Sequence, residues 1–263
     1  MPGDEAAASL QRARSASGDD LDRLIHEAGA ETLLVLLENP NMQEPQVSRL
    51  LERLDLSTEV LTAVAKEGKW TSSENIRLRL ARHPRTPNRI AISMLRQLYL
   101  FDLVRLSLLP SAPADIRRAA EELIVTRVPH LPMGEKLTLA RRGPARVAAA
   151  VLVEGHPQAV KLALSNSQLT ESQILKILAK PEVPARVVTA IAQHAKWSVQ
   201  YNVRVALLRH PHTPVPAVLQ FLPDVTLRDL NEALTLEALP PHFRKYIEQE
   251  LARRSDDAEQ DVL

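Results

Sequence analysis

Two stretches decide the fold: LTAVAKEGKWTSSENIRLRLARHPRTPNRIA at residues 61–91 and VTAIAQHAKWSVQYNVRVALLRHPHTPVPAV at residues 188–218. They align without a gap at an offset of 127 residues. Trp70 and Trp197 take the same position, as do Asn75 and Asn202, and a His-Pro-x-Thr-Pro run follows at 83–87 and 210–214. The register extends upstream through Asn39/Asn166, Glu44/Glu171 and Leu51/Leu178, and downstream through Asp102/Asp229, Pro113/Pro240 and Arg117/Arg244. Over 31–124 against 158–251, about 27 of 94 positions are identical, far beyond chance for an ungapped match. A fainter echo, LQRAR at Leu10 against LTLAR at Leu137, predicts copies that tile the chain as 1–127 and 128–254. The first sixteen residues are expected to be frayed or disordered, and 255–263 to form an acidic disordered tail.

Each copy breaks into short helical segments. Hydrophobic residues make up 45% of the chain but aromatics only 3%, so the core must be built from Leu, Val, Ile and Ala. Seven Gly against nineteen Pro suits helix boundaries better than hairpin turns. Thr86-Pro87 and Thr213-Pro214 read as an N-cap followed by proline at the first helical position, where the missing N–H costs nothing. Thr170 with Gln173 reads as a capping box. His83 and His210 sit before prolines that stop a helix, and the reading assigns His210 to a helix C-terminus that favours positive charge. Segments such as 187–192 are apolar nearly all round and need cover on several sides, as the inner layers of a stacked helical array do. The fold class expected is therefore all-α, an α-solenoid of stacked short helix pairs.

The run N-h-R-h-x-L-x-R-H-P-x-T-P after a Trp, with h apolar, resembles the HEAT-like and leucine-rich-repeat-variant α-solenoids of bacteria. The resemblance covers most of 31–251 and implies a protein-binding module or scaffold. Its motifs are structural, so they speak to fold more than to function.

Several chemistries lack residues to support them. With no Cys there is neither a disulfide nor a thiolate site. The glycines never cluster into a phosphate loop, and neither H-E-x-x-H nor G-x-S-x-G occurs. The reading is a non-enzyme with no catalytic residues, no metal, no cofactor and no small-molecule substrate. No apolar run reaches membrane-spanning length, so a cytoplasmic protein with no membrane partner is expected.

Charge supplies the remaining signal. The formal net charge is +1, yet residues 69–118 hold ten basic and three acidic residues while both chain ends are acidic. Arg79, Arg85 and Arg89 have no arginine at the equivalent position of the second copy, whereas Arg77 and Arg82 recur as Arg204 and Arg209. Asn75, Arg79 and Arg82 fall on one helical stripe. Residues shared by both copies (Trp70, Trp197, Asn202, Thr86, Pro87, Thr213, Pro214) are read as structural. Each indole is expected to fill a gap between helix pairs with its N–H bonded locally. Partner-binding candidates are Arg77, Arg79, Arg82, Arg85, Arg89, Asn75, Arg204 and Arg209. The expected partner is a protein, held on a concave and partly basic face. The alternative is a nucleic-acid binder akin to the HEAT-like DNA glycosylases. The acidic tail as a cover over the basic stretch is a third expectation.

Overall fold

The computed structural model describes residues 2–237 and 239–260, with side chains from residue 8 to 256 apart from Ala238. About 71% of the chain is helical and the described residues contain no strand. The chain divides into two compact units, 1–126 and 127–263.

The first unit opens with α1 (Pro2–Ser15), α2 (Gly18–Glu27), α3 (Ala30–Leu36), α4 (Glu44–Leu50) and α5 (Thr58–Lys66). It continues with the single turn α6 (Gly68–Thr71), α7 (Glu74–Arg82), α8 (Asn88–Arg96), α9 (Leu100–Ser107) and α10 (Ala114–Arg127). Alternate helices pack together: α4 rests on α2 and α7, and α7 on α9, forming one row. On the other side α3 rests on α1 and α5. Helices of seven to ten residues are too short to persist alone, so burial on both flanks holds them. Leu33, Leu36, Val47, Leu50, Val60, Leu61, Ile76 and Leu80 are fully or almost fully buried between the rows.

The second unit, after a short 3-10 turn at Val128–His130, runs through α11 (Met133–Arg142), α12 (Ala145–Val153), α13 (Pro157–Leu164) and α14 (Glu171–Leu178). Then follow α15 (Ala185–Gln193), α16 (Tyr201–Arg209), α17 (Val215–Phe221), α18 (Leu227–Leu234) and α19 (Pro241–Gln260). Here α12, α14, α16 and α18 make one row, while α13 packs on α11 and α15.

Four expectations change. Residues 2–15 form helix α1, and Ala13 and Ala16 are buried, because the end of α1 is gripped from another loop as described below. Helix α19 continues past Ser255 through Gln260, and Glu250 pairs within it with Arg253 and Arg254. Residues 261–263, the end of the expected tail, lie outside the described residues. Pro87 and Pro214 are themselves the N-caps, one residue later than the expected caps Thr86 and Thr213. Thr213 instead donates its hydroxyl inward to Leu207 O at 2.6 Å. Thr170 is an N-cap, but its side chain makes no capping bond, and only its backbone carbonyl serves the first turn.

Candidate functional site

Loops between the helices are tied by polar side chains, and the ties of one unit recur 127 residues later. Asn39, buried after α3, donates both amide protons to Ala13 O (2.7 Å) and Ala16 O (3.0 Å) while its Oδ1 accepts from Asn41 N (2.8 Å). Asn166 does the same with Ala140 O (2.9 Å), Gly143 O (3.0 Å) and Gln168 N (2.7 Å). Each amide thus satisfies carbonyls left open at the end of α1 or α11. These two Asn appear in the alignment but drew no role from sequence, because a buried Asn and an exposed Asn look alike there.

His83 and His210 work as a second tie. Nε2 of His83 meets Arg53 O at 2.7 Å while the backbone N–H of Arg85 meets Nδ1 at 3.2 Å. Nε2 of His210 meets Lys180 O at 3.1 Å, with His212 N on Nδ1 at 3.1 Å. A carbonyl on one nitrogen and an N–H on the other fix a neutral ring protonated at Nε2. Burial lowers both pKa values, and the Arg85 charge adds to this at His83, as does His212 at His210. This corrects the reading of His210 as a cation favoured by a helix end: it is 2% exposed and acts as a neutral loop brace.

The arginines separate by what they touch. Arg77 Nη1 donates to Thr71 O (2.7 Å) and Ser72 O (2.9 Å), closing the end of α6. Arg204 reaches Ser198 O (2.6 Å) and Asp224 (2.5 Å). Arg85 donates to Asp55 O (2.8 Å), and His212, its counterpart, meets Val183 O on the equivalent loop at 2.9 Å. Arg79 pairs with Glu52 (2.9 Å) and donates to Asn75 Oδ1 (3.1 Å). Asn75 in turn donates to Ser48 Oγ (2.8 Å), and Asn202 to Glu171 Oε1 (2.9 Å). Arg209 lies against Glu232 (3.4 Å) and Asp229 (3.8 Å). Only Arg82 and Arg89 among the eight candidates are exposed and have no charged or hydrogen-bonding partner among the described residues.

Nor do the two share one surface. Arg82 lines a groove of about 380 Å3 beside the ends of α4 and α7, together with Leu51, Glu52, Leu54, Arg79 and Ser111. Arg89 lines a different groove with Thr62, Lys66, Ile90 and Met94, across α5 and α8. The expected single basic face is therefore split between the two sides of unit 1.

The groove at α4 and α7 has a counterpart in unit 2. There, about 490 Å3 is bounded by Leu175, Leu178, Ala179, Pro181, Val205, Ala206 and Arg209. At offset 127, Ala179 stands at the position of Glu52, Pro181 at that of Leu54 and Ala206 at that of Arg79. Neither member of the Arg79–Glu52 pair thus has a charged residue at the offset position. The groove of unit 1 holds an ion pair where that of unit 2 has two alanines, with Arg209 and Asn202 still in its lining.

The tryptophans are buried, Trp70 at 5% and Trp197 at 2% exposure, so neither offers a stacking platform. Trp197 donates its indole N–H to Leu164 O at 2.9 Å, whereas the Trp70 N–H is buried without a partner. Lys69 and Lys196 lie over the two rings at 4.4 and 4.0 Å. Among the described residues no group of three metal-ligating side chains forms, and no helix is long and apolar enough to cross a membrane. Comparison with family models, curated proteins and solved structures gives no match.

Proposed function

We propose that the chain is a non-catalytic protein-interaction scaffold, an internally duplicated α-solenoid of the HEAT-like kind. In this reading it binds a protein partner through the grooves beside α4/α7 and α14/α16. One observation carries it. The ties that brace the loops are present in both units, while the Arg79–Glu52 pair lining the groove of unit 1 stands against two alanines, Ala206 and Ala179, in the groove of unit 2. A framework held constant beneath a changing lining is what a binding scaffold needs, since specificity resides in the lining and stability in the ties.

A protein partner suits this arrangement better than a nucleic acid. A backbone-tracking interface needs a continuous basic strip. Here Arg77, Arg79, Arg85, Arg204 and Arg209 are engaged within the fold, and Arg82 and Arg89 line different grooves. The test is affinity capture with the intact chain, with Arg82→Glu in the first groove and with Ala206→Glu in the second. Far-UV circular dichroism checks that each variant keeps its helices. The expected result is a partner retained by the parent and lost from at least one groove variant. A partner held equally by all three, or a steep loss of duplex binding between about 50 and about 200 mM salt, overturns the proposal.

A further inference from the structure

The charged groove of unit 1 carries a more specific inference, which rests on the binding reading above and names the ligand chemistry. Arg82 and Arg209 are equivalent residues in the last turn of α7 and α16. In unit 2 the guanidinium of Arg209 is held by two carboxylates of α18, Glu232 and Asp229, and Arg209 is only partly exposed. In unit 1 the residue equivalent to Glu232 is Arg105, and it takes Asp102, the equivalent of Asp229, at 3.2 Å. One substitution has thus removed an internal carboxylate from Arg82 and diverted the other.

The result is a cation released from the fold. Arg82 is exposed and lines the groove, while its neighbour Arg79 is engaged by Glu52. Beside it Leu54 is 70% exposed, the most exposed large apolar side chain among the described residues, and it lines the same groove. Unit 2 also answers an electrostatic objection. A helix C-terminus disfavours an approaching anion, yet two carboxylates stand at the equivalent arginine of α16. A carboxylate is therefore compatible with this place.

We propose that the groove beside α4 and α7 binds an acidic linear peptide, one of whose Asp or Glu carboxylates pairs with Arg82 while a neighbouring apolar side chain packs on Leu54. The carboxylate occupies the role that Glu232 fills within unit 2. An exposed apolar contact next to an unpaired guanidinium fits such a segment better than it fits a phosphate backbone, which has no use for Leu54.

The test uses a positional-scanning library of N-acetylated, C-amidated eight-residue peptides, screened against the full chain and three variants. Arg82→Glu reverses the charge. Arg105→Glu leaves Arg82 in place but restores the internal carboxylate found in unit 2. Leu54→Ser removes the apolar contact. We expect the parent to select peptides with Asp or Glu next to Leu, Ile or Val. The best of these should lose about fivefold or more in affinity on either charge variant, with a smaller loss on Leu54→Ser. Binding should also weaken as salt is raised from about 50 to about 300 mM. Selection of acidic peptides that is indifferent to both charge variants overturns the inference, as does selection by the parent of peptides without acids. In the latter case the selected peptides are also tested on Ala206→Glu, and their loss there leaves the scaffold reading standing. If no peptide is retained, the inference fails, and the capture experiment decides the scaffold reading separately.

Discussion

Asn39 and Asn166 each use one amide on three backbone groups, whereas the two tryptophans at equivalent positions differ in theirs. That difference is measurable. Trp197→Phe removes the donor to Leu164 O and leaves a buried carbonyl open, a cost of about 1–3 kcal/mol. Trp70→Phe removes a donor that had no partner, so it should cost less, as urea unfolding of the two variants will show. Equal costs would place the energetics in ring packing alone. The histidine ties make a pH prediction. Both rings are neutral in the fold with lowered pKa values, so the unfolded chain binds more protons once pH falls below about 6.5. Their contribution is complete above that pH and is lost as pH drops through the folded values. Tm should therefore fall between pH 7.5 and 5.5, and the fall should shrink when His83 and His210 are both changed to Gln. An undiminished fall in that double variant would assign it to other groups. Asp55 behaves in the opposite range: the Arg53 guanidinium holds its carboxyl at about 2, so its ion pair persists far into acid.

At the scale of helices, the substitution of Glu52 and Arg79 by Ala179 and Ala206 predicts weak coupling. The pair is partly exposed, so a double-mutant cycle on Glu52→Ala and Arg79→Ala should return about 1 kcal/mol or less. A much larger coupling would mean that Arg79 braces α4 against α7 rather than lining a groove. This scale also shows how much could be read in advance. Periodicity and proline spacing placed most helices, because short amphipathic segments must bury one face whatever their surroundings. They missed α1, whose end is secured by Asn39 from 23 residues away, and put the caps one residue early, since Thr213 turns inward to a helix carbonyl. Comparing the two copies position by position pointed to Arg79 and Arg85 because those residues differ. Arg85, however, is replaced by a histidine that makes a like contact, and Arg79 changes together with its partner. Arg82 is identical in both copies, and only its surroundings differ. A residue's partners, unlike its identity, cannot be read along a single strand of sequence.

For the molecule as a whole, the Asn ties allow the two units to be perturbed one at a time. Asn39→Ala should raise amide hydrogen exchange within 1–126, and Asn166→Ala within 127–263, each variant losing about 1–3 kcal/mol. Loss of protection throughout the chain from either substitution would show that the units open as one cooperative block. The tryptophans allow an optical version of the same question. There are two in the chain, one in each unit, and both are buried under a lysine. The indole bonded to Leu164 O and the indole with no bonded N–H sit in different polar surroundings, so their emission maxima and quenching should differ. With one indole removed by substitution, the tryptophan emission excited at about 295 nm, where the tyrosines absorb little, comes from a single unit, and a ligand entering either groove can be assigned to its unit without any attached dye.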